Sequence, residues 1–83
     1  GLETEIKDAI TSGLTPESLE VINESAMHAG HAGDDGTGES HWKVVIRAPS
    51  LDPMSRIARH RAVHSALGSA IIGRIHALTI DIL

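Results

Sequence analysis

Apolar residues near the start of the chain recur at helical spacing and fall on one face, namely Leu2, Ile6, Ala9 and Ile10. This pattern predicts a short amphipathic helix over residues 2–13, with Gly13 at the position where a helix typically ends. The TPE that follows, residues 15–17, indicates a turn.

Two later segments alternate apolar and polar residues with a period of two, which is typical of strands that bury one face. They are residues 18–25, SLEVINES, and residues 41–48, HWKVVIRA. In the second segment the face predicted to be buried carries Trp42, Val44, Ile46 and Ala48. The intervening AMHAGHAGDDGTGES, residues 26–40, is rich in glycine, which predicts a long irregular loop between two antiparallel strands.

The second half of the chain predicts one long helix and a third strand. Asp52 followed by Pro53 indicates an N-cap and a first helical turn. The helix is expected to run through MSRIARHRAVHSALGSAII, with Gly68 or Gly73 interrupting or ending it. Its apolar face is predicted to carry Val63, Ala66, Leu67, Ala70 and Ile71. Residues 74–83, RIHALTIDIL, predict the last strand, with one face formed by His76, Leu78, Ile80 and Ile82.

The order helix, strand, strand, helix, strand predicts an α+β fold in which the helices cover one face of a three-stranded sheet. We expect the 83 residues to form a single domain. Its core must be largely aliphatic, because the chain contains one Trp and neither Phe nor Tyr.

The amino-acid composition limits the metal ligands and the binding partners that the chain can have. The chain has no cysteine, so any metal cluster bound here must take its sulfur ligands from another molecule. The net charge of −4 argues against broad affinity for nucleic acid, which depends on neutralising phosphates. Six histidines in so short a chain are unusual, and imidazole is the commonest metal-ligating side chain.

The sequence gives little information about location. No stretch approaches the ~20 apolar residues that a membrane-spanning helix requires, so no membrane association is expected. The start at Gly1 and the apolar ending LTIDIL suggest a domain cut from a longer precursor. We expect an intracellular setting, with mitochondrion or chloroplast favoured over cytosol and nucleus.

Three motifs, SHWKVVI, ARHRAVHSALG and IHALTI, occur in this order after VINES and a histidine-bearing, glycine-rich segment. Together they resemble the BolA family, histidine-loop type, over about residues 19–82. The resemblance implies a class II KH-like fold, a monothiol glutaredoxin as partner, and a homodimer when no cluster is bound. It also implies a [2Fe–2S] cluster held by the glutaredoxin cysteine, by glutathione supplied through the glutaredoxin, and by histidines of this chain.

The ligand positions implied by the resemblance are His76, in the HAL motif, and His28, in ESAMH, with His31 as the alternative to His28. The chain departs from the family in the connection APSLDPMS, which lacks the usual aromatic residue and glycine. It also stops soon after the last strand, where relatives add a short segment.

Each histidine also has an ordinary structural interpretation. The alternation of apolar and polar residues alone indicates that His76 is a structural histidine at the edge of the core. His28 and His31 taken alone read as solvated loop residues, although two imidazoles three positions apart suit a metal. His41 is expected to be an ordinary exposed strand residue.

On the long helix, His60 and His64 are four positions apart and form a potential zinc pair. We favour a role in packing or capping for both, and an inward, fold-stabilising or partner-contacting role for Arg59. A local positive patch on this helix is formed by Arg56, Arg59, His60, Arg61 and His64.

This patch supports two alternatives, an acidic protein partner or a nucleic-acid-binding regulator. The GHAG and GDDG sequences at 30–36 match the GXXG of KH domains by coincidence, because Asp34 and Asp35 would repel phosphate. A metal-dependent nuclease using Asp34 and Asp35 beside His28 and His31 is the remaining alternative, and we expect a non-catalytic protein.

Overall fold

The computed structural model describes residues 1–25 and 39–83, and in these ranges the helices and strands follow the predicted order. They are α1 (Leu2–Leu14), β1 (Ser18–Asn23), β2 (His41–Arg47), α2 (Arg56–Ile72) and β3 (Ala77–Ile82). The predictions for His28, His31, Asp34 and Asp35 lie outside the described residues.

The first helix buries one residue per turn, namely Leu2, Ile6, Ile10 and Leu14. This confirms the predicted apolar face. The helix continues one residue past Gly13 and ends at Thr15, whose φ of 48° is left-handed and whose N–H donates to the Thr11 carbonyl. A β-carbon added to Gly13 would lie 2.9 Å from the Ala66 β-carbon. Gly13 therefore permits the close approach of α1 and α2, and does not end the helix as predicted.

The sheet has the order β1-β2-β3. β1 is antiparallel to β2, with Val21 opposite Val44, which confirms the predicted pairing of the first two strands. β3 runs parallel to β2, with Ile80 opposite Val44. A parallel neighbour requires a crossover connection, and α2 provides it.

One face of the sheet and the inner faces of both helices form a single core. Its buried members from the strands and α2 are Val21, Trp42, Val44, Ile46, Val63 and Leu67. On the other face of β2, His41 is buried and Lys43, Val45 and Arg47 are half-buried. The architecture is therefore the predicted α+β fold, with two helices on a three-stranded mixed sheet.

The start of α2 differs from the prediction. The helix begins at Arg56, and its N-cap is Ser55, whose hydroxyl accepts a hydrogen bond from the Ala58 N–H at 3.2 Å. Asp52 is not the cap, because it ends the preceding 3-10 turn with helical φ −55° and ψ −43°, whereas Ser55 has the extended backbone of an N-cap. The Asp52 carboxylate is bound by the Arg47 guanidinium at 2.9 and 3.2 Å. The residues before it, Pro49–Leu51, form a 3-10 turn that buries Leu51.

Gly68 interrupts α2, as predicted, with φ 83° and ψ 159°. The prediction that Ala70 lies on the buried face is wrong, because a helical wheel extrapolated across this break no longer applies to the last turn. The third strand begins at Ala77, and His76 is the residue just before it. Across the described ranges, neither helix combines the length and apolar character needed to cross a bilayer.

Candidate metal centre

The parallel pairing of β2 and β3 brings the residues that precede both strands to one edge of the sheet. The His76 N–H donates to the Ser40 carbonyl at 2.8 Å, and the Ala77 N–H donates to the same carbonyl at 3.1 Å. The backbone of His76 is therefore held directly beside the start of β2.

Two imidazoles meet at this edge. The ring centroids of His41 and His76 are 5.3 Å apart and their planes are inclined by 49°. His76 is exposed, whereas His41 is only 8% exposed. The expectation that His41 is an ordinary exposed strand residue is therefore wrong. Alternation along one strand reports only the face that a residue occupies, and His41 is covered by groups that are distant in sequence.

Ser25 and Ser40 are two of the groups that surround His41. The Ser40 hydroxyl lies 2.7 Å from the His41 Nδ1, and the His41 backbone N–H donates to the Ser25 hydroxyl at 3.0 Å. Both serines are buried. Sequence reasoning did not select either serine, and the adjacency of Ser40 to a strand-initiating histidine is the one signal that was available.

Ser25 and Glu39 both make contacts near the start of β2. Ser25, the last described residue before position 26, contacts His41. Glu39, the first described residue after position 38, accepts a hydrogen bond from the Trp42 indole N–H at 2.8 Å. Ser25 therefore borders His41, whereas Glu39 contacts Trp42, whose side chain lies on the opposite face of β2.

The turn before His76 is attached to α1 by an ion pair. The Arg74 guanidinium binds both carboxylate oxygens of Glu5, at 2.8 and 3.0 Å. The hydrogen bond from Arg74 holds the pKa of Glu5 below its ordinary value. The same contact raises the pKa of Arg74. The pair lies on the surface and links the beginning of the chain to the approach to β3.

The His76 imidazole is compatible with a metal cluster that is shared with a second protein. His76 is exposed at the edge of the sheet, and neutral imidazole is an established iron ligand. Within residues 1–25 and 39–83 no three metal-ligating side chains lie close enough to hold an ion among themselves. Since the chain also has no cysteine, a cluster bound at His76 would need sulfur ligands from a second molecule.

The positive patch predicted on α2 is a separate feature. The Arg59 side chain leans inward as expected, donating from Nε to the Leu51 carbonyl and from Nη2 to the Asp52 carbonyl, both at 2.8 Å. The His60 ring is bonded through Nδ1 to the Arg56 carbonyl at 2.9 Å, within its own helix, so it does not cap the adjacent loop. His64 is exposed.

The outer side of α2 forms a shallow depression of about 760 Å³, lined by Arg56, Ile57, His60, Arg61, His64 and Ser65. Its apolar member, Ile57, is 64% exposed. A second depression of about 310 Å³ places Arg56, Arg59 and His60 against the C-terminal end of β3. His76 precedes the opposite end of β3, about 20 Å away at the usual rise per strand residue. The structure therefore does not bring the predicted patch and His76 together.

A protein-family model described as BolA-like protein matches residues 10–83. A Sinorhizobium protein from the cobS 5′ region is 46% identical over 77 residues, covering 92% of this chain and 83% of the relative. Mouse BolA-like protein 1 is 39% identical over 80 residues, and the match covers 96% of this chain but only 56% of the mouse protein. A Vibrio cholerae protein named DNA-binding transcriptional regulator BolA is 37% identical over 75 residues, covering 90% of this chain and 67% of the relative.

Solved structures have the same fold. BolA1 from Arabidopsis thaliana superposes with a TM-score of 0.80 at 30% identity, covering 96% of this chain and 87% of the plant chain. The solution structure of mouse BolA1 superposes with a TM-score of 0.76 at 39% identity, covering 96% of this chain and 62% of the mouse chain.

Proposed function

This chain belongs to the BolA-like protein family, and from that premise we propose that it binds a monothiol glutaredoxin and shares a [2Fe–2S] cluster with it. The glutaredoxin cysteine and its bound glutathione supply the sulfur ligands. His76 and His28 supply imidazole nitrogens, with His31 as the alternative to His28. The chain itself is a non-catalytic adaptor in cluster assembly, transfer or iron sensing.

The observation that carries the proposal is the position of His76. His76 is exposed, while its backbone is held by the Ser40 carbonyl beside the start of β2, where a ligand from a second protein can approach.

A metal shared between two proteins also explains why one ligand should be exposed. An imidazole at the surface can reach an iron held by a partner without local unfolding. The cluster would supply electron-transfer and iron–sulfur chemistry, whereas this chain contributes a nitrogen ligand, its orientation and the surrounding surface.

The test is reconstitution of the domain with a monothiol glutaredoxin, ferrous iron, sulfide and glutathione, followed by visible absorption and circular dichroism. The heterodimer is expected to give a spectrum that differs from that of the glutaredoxin homodimer. His76→Ala should abolish this difference while leaving the fold intact. Thr79→Ala, an exposed residue on β3, is the matched control and should retain it. A wild-type spectrum from His76→Ala would overturn the ligand assignment.

The second ligand is tested in the same assay by His28→Ala and His31→Ala. If His28 is the ligand, only its substitution shifts the spectrum, and the reverse result assigns His31. Spectra unchanged by both substitutions would refute a ligand from this segment.

Size-exclusion chromatography with light scattering, on the protein without cluster, tests the homodimer.

A second candidate is a nucleic-acid-binding regulator. It is favoured by the basic outer side of α2 in an otherwise acidic chain and by the name of the Vibrio cholerae relative. Gel shifts at several salt concentrations test it, because phosphate contacts weaken steeply with salt. Arg61→Glu should abolish binding, whereas Lys7→Glu, the same charge change on α1, should preserve it. Equal loss in both variants, or no binding by wild type, excludes this function.

A further inference from the structure

We propose that Ser40 and His41 position the His76 imidazole for metal binding, an inference that rests on the function proposed above. Neither residue is a ligand in this proposal. Ser40 acts through its carbonyl and its hydroxyl, and His41 acts through its ring.

The Ser40 carbonyl holds the backbone of His76. It accepts the N–H groups of two consecutive residues, His76 at 2.8 Å and Ala77 at 3.1 Å. Two hydrogen bonds to one oxygen fix the peptide that joins these residues, and therefore the direction in which the His76 side chain leaves the backbone. This is the point where β3 enters the sheet, so the parallel pairing of β2 and β3 preserves the arrangement.

The Ser40 hydroxyl holds the ring of His41. Its oxygen is 2.7 Å from the His41 Nδ1, and Ser40 is fully buried. A buried hydrogen bond of this length is costly to break, because the separated groups would remain without solvent. Either direction of proton donation keeps the same ring plane.

The ring of His41 in turn contacts the ring of His76. The centroid distance of 5.3 Å and the tilt of 49° lie within the range of favourable aromatic pairs. The contact favours the rotamer of His76 that keeps its ring against His41. Because His41 is only 8% exposed and its Nδ1 is bonded to Ser40, it is placed to orient a ligand and is poorly placed to reach a partner.

Preorganisation of this kind strengthens binding by removing the cost of immobilising a side chain. That cost for one side chain corresponds to about a two- to tenfold change in affinity. Ser40→Ala is therefore expected to weaken cluster-dependent heterodimer formation by about that factor, whereas His76→Ala abolishes it.

The first test uses the protein without metal, and so does not depend on the cluster. NMR measures the three-bond Hα–Hβ couplings of His76 and the cross-relaxation between the His41 and His76 ring protons. Wild type should show one dominant His76 rotamer and ring-to-ring cross-peaks. Ser40→Ala should give averaged couplings and weaker cross-peaks. His41→Phe, which keeps a ring beside His76, should restore the single rotamer that His41→Ala loses.

Ser25→Ala is the matched control for these couplings. Ser25 is also a buried serine bonded to His41, but its partner is the backbone N–H, so the His76 rotamer should be unchanged. Couplings of His76 that are the same in wild type and Ser40→Ala would overturn the positioning role. An equal effect of Ser25→Ala would also overturn the positioning role, because Ser40 would then only stabilise this part of the fold, as Ser25 does.

The second test is titration of the glutaredoxin in the presence of cluster. A weakening by Ser40→Ala supports the inference, and unchanged affinity refutes it. If His76→Ala leaves the cluster spectrum unaltered, the proposed function fails, and the NMR result still decides whether Ser40 and His41 order His76.

Discussion

Replacing Gly68 by alanine is expected to destabilise the fold by about 1–2 kcal/mol, although the added methyl group would meet no neighbouring atom within 4 Å. The cost comes from the backbone. Gly68 has φ 83° and ψ 159°, a conformation that is essentially restricted to glycine. A residue with a β-carbon in this region costs about 1–3 kcal/mol.

Part of that cost is offset in the unfolded chain. Alanine has fewer unfolded conformations than glycine, which favours folding by about 0.4–1 kcal/mol. The remaining loss of about 1–2 kcal/mol should lower the melting temperature by roughly 5–15 °C in a domain of this size. The sign of the change in stability is informative, because in an uninterrupted helix the same substitution would stabilise the protein by about 1 kcal/mol.

The assay is urea unfolding followed by the fluorescence of Trp42, which is the one tryptophan of the chain and is buried. The midpoint should fall while the dependence on urea stays the same. The D-alanine version of the substitution, made by chemical synthesis, favours positive φ and should be at least as stable as glycine. If the Gly68→Ala protein is as stable as wild type, the claim that α2 is interrupted at Gly68 by a glycine-specific conformation is refuted. Such a result would indicate a continuous α2 and a different path to His76.

Three further substitutions test the fold. Ser55→Ala should cost about 0.5–2 kcal/mol through loss of the N-cap, whereas Ser65→Ala, at an exposed position within α2, should be nearly neutral by urea midpoint. Leu67→Ala should cost about 2–5 kcal/mol, because Leu67 is buried in the core, and calorimetry should show the corresponding fall in melting temperature. Glu5→Gln should be slightly destabilising at pH 7 and neutral in strong acid. The pKa of Glu5 is lower in the folded state, so the pair with Arg74 contributes above the ordinary glutamate pKa of about 4.3 and is lost as the pH falls through the folded value. Melting temperatures at pH 7 and pH 2 measure this, and an equal difference at both would contradict it.

Errors in the sequence-based description have identifiable causes. Asp52 and Ser55 are both good N-cap residues, and local sequence does not choose between them. The choice follows from the Pro49–Leu51 turn, which ends at Asp52 with a helical backbone and leaves Ser55 with the extended backbone of an N-cap. Gly13 is typical of a helix end by sequence, but here it lies within α1 at a contact with Ala66 of α2 that leaves too little room for a β-carbon.

The candidate site was predicted only in part. The HAL motif indicates His76, and the structure places its backbone beside the start of β2. Ser40 and His41 were not selected, because their importance depends on contacts with β3. The ligand role of His28 or His31 stays a prediction.

The order of apolar and polar residues predicts the sequence of helices and strands, the aliphatic core and most of the buried faces, but neither the start of α2 nor its last turn beyond Gly68. Those features depend on interactions between residues a few positions apart, which a linear pattern records. The tertiary structure decided that β3 lies parallel to β2 and that Ser40, His41 and His76 meet at one edge. These features depend on backbone and side-chain contacts between segments far apart in the chain, and their register is set only when the whole core packs.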